Sequence, residues 1–170
     1  MAALDIKIDY LGNHAHLAET LAQWSWAEWQ PIYTERKQTF EHALKNYQER
    51  TNIDRLPLTL VAFQGDELIG TVSLKFHDLD TRPELDPWLG GVFVLPEWRG
   101  RGIASLLMQR AVTEASRLQL PKLYLWTSSA EGLYQKLGWN VVERSHYCGK
   151  DIALMDFNVA DASVSQWRPN

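Results

Sequence analysis

The stretch "VFVLPEWRGRGIASLLM" (residues 92–108) decides how the rest of this chain is read. An apolar run, Val92 to Leu95, stops at Pro96 in the manner of a buried strand, and a glycine-rich turn then opens a helix expected over about 100 to 118. The first turn of any helix carries unpaired backbone N–H groups and the positive end of the macrodipole. Gly100 and Gly102 lack side chains, so a phosphate can approach those N–H groups closely. Arg99 and Arg101 add charge suited to a polyphosphate. Together these residues describe an anion cradle.

Two familiar phosphate loops are excluded. A Walker A loop needs a lysine after its second glycine, and none stands here. A Rossmann fingerprint would place its third glycine at position 105, which is Ser105. A lone "GRG" could also be no more than a softened strand-to-helix turn with solvated arginines.

A second stretch, "WTSSAEGLYQKLGW" (126–139), bears on the choice. Ser128-x-x-Glu131 has the form of a capping box, which predicts a short helix from about Ser129 to 137. Ala130, Leu133, Tyr134 and Leu137 would share one apolar face, and Gly138 suits a left-handed C-terminal position with Trp139 packing back. Tyr134 could therefore be plain core. Gly132 fits that account poorly, because glycine inside a helix costs about 1 kcal/mol against alanine. Close approach by a ligand or by the sheet would each justify it.

Arg99, Gly102 and Ala104, with Gly100, Arg101 and Ile103 between them, carry the R-x-x-G-x-A form of the pyrophosphate loop of the GNAT superfamily of acyl-CoA N-acyltransferases. Ala130, Leu133, Tyr134, Lys136, Gly138 and Trp139 resemble the second signature of that family. The order of elements resembles its fold over residues 4–159, which would form one domain followed by a tail, 160–170.

The resemblance implies an α/β (mixed α+β) fold with a mostly antiparallel seven-stranded sheet, splayed middle strands and helices on both faces. It implies acetyl-CoA as cosubstrate, its diphosphate on Arg99 to Ser105 (Arg99, Gly100, Arg101, Gly102, Ile103, Ala104 and Ser105). Its pantetheine arm would pair with the backbone of Val92, Phe93 and Val94, where one N–H would serve as oxyanion donor, worth about 3–4 kcal/mol. Gly90 and Gly91 would permit the bulge this needs. Tyr134 would protonate the leaving thiolate. The family often has Asn seven residues before that tyrosine; here Thr127 stands there, and that contact is not carried over.

The remaining elements are read from pattern. "LDIKIDY" (4–10) alternates as a strand, and 13–29 and 36–51 read as helices with Asn13 and Thr34 as caps and Pro31 between them. A hairpin is expected over 57–63 and 68–76, a strand over 122–127, and a last hairpin over 139–147 and 151–159. The unit 88–127 implies a parallel crossover.

Composition limits the partners. Twenty-one acidic residues against seventeen basic ones argue against nucleic-acid binding. No run approaches the roughly 20 apolar residues of a membrane span. Asp5 and Asp9 interrupt any signal-peptide core, and a single cysteine, Cys148, suits a reducing cytoplasm. His146 and Cys148 lie two apart without a second ligand pair, so no metal is expected.

The acceptor would be a small-molecule or peptide amine, and the protein a monomer or homodimer. An ammonium must lose its proton before attack. Glu28, His77, Glu84 and Asp86 are candidate bases, each also open to a solvated or structural reading. Trp24, Trp26, Trp29, His146 and Tyr147 are acceptor-side candidates, with Trp26 and Trp29 expected on one helix face and Trp24 away from it. The acidic loop Asp78, Asp80, Glu84 and Asp86 could steer a cation. The expected function is N-acetyl transfer by direct attack in a ternary complex. A catalytically idle acyl-CoA sensor on the same fold is the alternative.

Overall fold

The computed structural model describes residues 4–161; the rest of the expected tail, with Trp167, lies outside the described residues. Seven strands, β1 (Ile6–Tyr10), β2 (Leu58–Gln64), β3 (Glu67–Lys75), β4 (Trp88–Val94), β5 (Lys122–Thr127), β6 (Asn140–Tyr147) and β7 (Lys150–Asn158), form one sheet in the order β1-β2-β3-β4-β5-β7-β6. Its helices are α1 (Ala18–Glu35), α2 (Phe40–Glu49), α3 (Ile103–Arg117) and α4 (Glu131–Lys136). Only the β4–β5 pair is parallel among the described strands. The expected fold is the one observed.

Alternation along β2 shows why helices cover both faces. Leu58, Leu60 and Ala62 pack into the cluster with Ile103, Leu107, Met108 and Ala111 of α3. Val61, one residue out of phase, packs with Leu21 and Ala22 of α1 and Ala43 and Tyr47 of α2. A strand buried on both faces must be apolar throughout, as "LTLVAF" nearly is.

Several boundaries differ from expectation. Asn13 does not cap a helix: Leu11–Leu17 is a 3₁₀ segment, α1 starts at Ala18, and the Asn13 amide donates to Asp9 Oδ1 at 2.9 Å. Pro31 does not separate two helices but lies inside α1, where it cannot donate to the ladder. The helix kinks instead, with Trp29 at φ −114°, ψ 26°. Thr34 is consequently inside α1, and Thr39 caps α2, its N–H donating to His42 Nδ1 at 3.0 Å.

Gly90 and Gly91 are where the sheet parts. Thr71 faces Phe93 and Ser73 faces Gly90, so Gly91 and Val92 together oppose the single residue Val72. Gly91 has φ +62°, which a side chain would resist. Beyond this bulge β4 leaves β5, to which it pairs only at Trp88 and Tyr124. The last hairpin closes through Cys148 and Gly149, both with positive φ (49° and 77°), a turn whose twist suits antiparallel strands.

Candidate active site

Where β4 and β5 separate, a cavity of about 730 Å³ opens, within the range of small-molecule sites. Its walls come from six parts of the chain. Gly90, Gly91 and Val92 are the bulge wall, and Leu125, Trp126 and Thr127 the β5 wall. Trp29 and Tyr47 come from α1 and α2, and Arg36 and Arg50 are the residues that cap their C-terminal ends. Lys75 ends β3 and His77, Asp78 and Asp80 follow it, and Tyr147, Cys148 and Lys150 come from the last hairpin. Tyr134 completes it from α4.

The placement of Tyr134 follows from how α4 begins and ends. The expected Ser128–Glu131 capping box does not form; Thr127 Oγ1 accepts the N–H groups of Ser129 and Ala130 at 3.3 and 3.0 Å instead. Thr127 is buried at the end of β5, so its hydroxyl reaches the turn before Ser128 can. Glu131 pairs with Arg144 at 2.7 Å. At the other end Gly138, with φ +96°, donates to the Gln135 carbonyl, and Trp139 N–H donates to the Tyr134 carbonyl. Trp139 is buried against Phe157, 5.3 Å between ring centroids.

Of the expected apolar face, Leu133 is exposed, whereas Tyr134 and Leu137 pack on the core. Burial pushes the Tyr134 phenol above its ordinary value, so it stays protonated at neutral pH. Among the described residues its hydroxyl has no hydrogen-bond partner. A Cβ on Gly132 would meet nothing within 4 Å, which removes close helix–sheet packing as the reason for that glycine.

The cradle lies apart from this cavity. Gly100 (φ +74°) and Gly102 (φ +81°) take left-handed conformations, and α3 begins at Ile103, three residues later than expected. The first helical bond runs from Leu106 N–H to the Gly102 carbonyl at 3.1 Å, which leaves the N–H groups of Gly102, Ile103, Ala104 and Ser105 without helical acceptors. Cβ atoms at Gly100 and Gly102 would meet only open space. Arg99 turns back, donating from Nε to the Val94 carbonyl at 2.9 Å with its guanidinium 5.4 Å from the Phe93 ring. Arg101 lies over Trp98 at 4.7 Å.

The acceptor-side candidates divide. Trp29 lines the cavity. Contrary to the helical-wheel expectation, Trp24 and Trp29 meet on Phe93 (5.3 and 6.4 Å), while Trp26 packs on Tyr33 and Phe40. The kink at Trp29 rotates the helix between them. His146 points to Asp151 at 3.1 Å and does not line the cavity; Tyr147 does, accepting from Arg36 Nε at 2.9 Å. Burial raises the Tyr147 phenol as well.

Of the candidate bases, Glu28 and His77 line the cavity, and Glu84 and Asp86 do not. Glu84 is held by Arg82 at 2.6 Å, which keeps its carboxyl below the ordinary range, and Arg82 also pairs with Glu143.

Three of the acidic-loop carboxylates, Asp78, Asp80 and Glu84, are paired rather than free. Asp78 pairs with Lys75 at 2.6 Å, and Asp80 stands 3.7 Å from Arg36, which also donates to the Asp78 carbonyl at 2.5 Å. Sequence reasoning missed Lys75, Tyr47 and Arg50. The one signal for Lys75 was Gly90: a Cβ there would come within 2.7 Å of Lys75 Cε and 2.8 Å of Asp78 Oδ2.

These features coincide with a known family. The sequence model of the acetyltransferase (GNAT) family matches residues 18–139, and the chain belongs to that family. Among solved structures it is similar to yncA from Salmonella typhimurium with its cofactor acetyl-CoA (17% identity, 94% of this chain and 96% of that one, TM-score 0.67). It is similar also to an aminoglycoside 6'-N-acetyltransferase complexed with coenzyme A (16% identity, 96% and 99%, TM-score 0.68). A third is a spermidine N-acetyltransferase SpeG chimera from Vibrio cholerae and hSSAT (20% identity, 91% and 96%, TM-score 0.64). At these identities the likeness is one of fold. No protein of curated function matches the sequence. No described helix is long and apolar enough to cross a membrane.

Proposed function

We propose that this chain transfers an acetyl group from acetyl-CoA to the primary amine of a small molecule or peptide by direct attack within a ternary complex. The observation that carries the reading is the position of Tyr134. A protonated phenol without an internal partner faces the cavity where the bulged β4 parts from β5.

The residues present suit acetyl-CoA. Four N–H groups at the mouth of α3 and two unobstructed left-handed glycines could hold its diphosphate. Arg101 and the free nitrogens of Arg99 supply cations beside them. Residues 92–94 border the gap and offer backbone groups to the pantetheine arm, one N–H facing the thioester oxygen as charge develops on it. The open surface at Gly132 leaves room for the same chain of atoms.

Tyr134 then donates its proton to the departing thiolate as the C–S bond breaks and the C–N bond forms. Glu28 or His77 receives the amine proton, directly or through water, since both line the cavity. That aminoglycoside and spermidine acetyltransferases share the fold supports a small amine as acceptor. Calorimetry with acetyl-CoA, followed by thiol release over an amine panel, tests the reading. Binding with turnover supports it, and absence of acetyl-CoA binding overturns it.

A further inference from the structure

The acceptor wall carries more positive charge than its partners neutralise. Lys75 has Asp78, and Arg36 has Asp80, the Tyr147 hydroxyl and the Asp78 carbonyl. Arg50 has no anion. Among the described residues its only contact of this kind is with the face of Tyr47, 4.9 Å from guanidinium to ring centroid. Tyr47 is itself buried, and its hydroxyl stands 3.5 Å from where a Cβ on Gly91 would be. Arg50 is thus one aromatic ring away from the bulge, and the Lys75–Asp78 pair crosses the neighbouring glycine, Gly90.

Burial pulls the Lys75 ammonium below its ordinary value, and Arg50 and Arg36 add repulsion that Asp78 only partly offsets. Three cations meet two carboxylates at this end of the cavity, while Glu28 lies exposed on α1. An arginine fork half-buried without a counter-ion is the residue type best suited to a carboxylate.

We infer that the acceptor is an amine that carries a carboxylate, held by Arg50 beside Lys75 and Tyr47. This rests on the acetyltransferase reading for its amine. The carboxylate orients the acceptor, so that its amine faces the bulge and Tyr134. A polyamine would instead bring further positive charge to a wall that already has an excess. The carboxylate is either the α-carboxylate of a free amino acid or the side chain of an acidic first residue in a peptide.

The test pairs each acid with its amide. Free amino acids, their α-amides, dipeptides beginning with Asp or Asn, and spermidine are each added at about 10 mM to wild type and to Arg50→Gln, and the melting midpoint is read. At least one carboxylate-bearing amine raises the wild-type midpoint, its amide partner does not, and R50Q abolishes the shift. In thiol release with acetyl-CoA, R50Q raises KM for that acid at least about tenfold with kcat little changed and acetyl-CoA affinity retained. R50K recovers part of the loss, because charge remains and the fork does not.

A shift with amino acids but not with Asp dipeptides assigns the α-carboxylate; the reverse assigns the side chain. Equal shifts with acid and amide, no shift with any carboxylate, or an R50Q variant that responds as wild type overturns the inference. Failure of the acetyltransferase reading looks different: the acid-selective shift persists while no amine releases thiol.

Discussion

Trp139 N–H donates to the carbonyl of Tyr134 at 3.0 Å, so the candidate acid and a buried indole are tied by the same turn that ends α4. That turn requires Gly138 at φ +96°, and a Cβ there would stand 3.1 Å from Phe157 Cε2. Gly138→Ala should therefore lower stability by about 1–2 kcal/mol through backbone strain and the displaced ring. Urea unfolding checks this, with a lower midpoint and an unchanged slope expected.

Tyr134→Phe removes a hydroxyl that no other described residue uses, so the fold and acetyl-CoA affinity should survive. Turnover should fall by about 10²-fold or more, the usual contribution of a positioned acid. Burial raises the Tyr134 phenol, so its protonated, donating form persists up to its ordinary range near 10 and somewhat beyond. The wild-type pH–rate profile should show no loss of activity from this group between about pH 7 and 10. A kcat equal to wild type in the Phe variant would remove the acid role.

Gly132 and Gly102 should respond oppositely in stability and alike in binding. Alanine at Gly132 has open space and a better helix propensity, so Gly132→Ala should gain about 0.5–1 kcal/mol. Alanine at Gly102 also has space but must adopt φ +81°, at a cost of about 1–2 kcal/mol. Both place a methyl group where acetyl-CoA is proposed to lie, and each should weaken its binding about tenfold by calorimetry. Unchanged affinity in both would place the coenzyme elsewhere.

Glu114 is a buried source of acid-sensitive stability. Its buried carboxylate accepts from Tyr10 at 2.9 Å, Arg110 at 3.0 Å and Arg117 at 2.7 Å, which ties β1 to α3. Burial alone would raise its pKa; the hydrogen bonds from Arg117, Tyr10 and Arg110 overcome that and hold it below the ordinary range. A depressed folded pKa gives stability that is complete above the unfolded value, about 4.3, and is lost as pH falls through the folded one. Glu114→Gln should cost about 2–3 kcal/mol at pH 7, with the gap to wild type narrowing below about pH 4. Thermal melts across pH 3–7 measure both.

The bulge that Gly90 and Gly91 permit is implied by the family resemblance; by itself the sequence determined the order of strands and helices, the glycine turn before α3 and the glycine stop after α4. Each rests on short-range causes: alternation, apolar spacing, and backbone angles open mainly to glycine. Tertiary structure decided which side chains meet. A proline-associated kink turned Trp29 onto Phe93 beside Trp24, and a buried threonine displaced Ser128 as the cap. Lys75 and Asp78, from the end of β3 and the loop after it, and Arg50 from the end of α2, two separate segments, converged on the bulge, because a sheet that splays leaves a gap into which distant segments lean. Local pattern carries no record of such neighbours, since what brings them together is the packing of α1 and α2 on the β2 face around Val61, a separate element later in the chain.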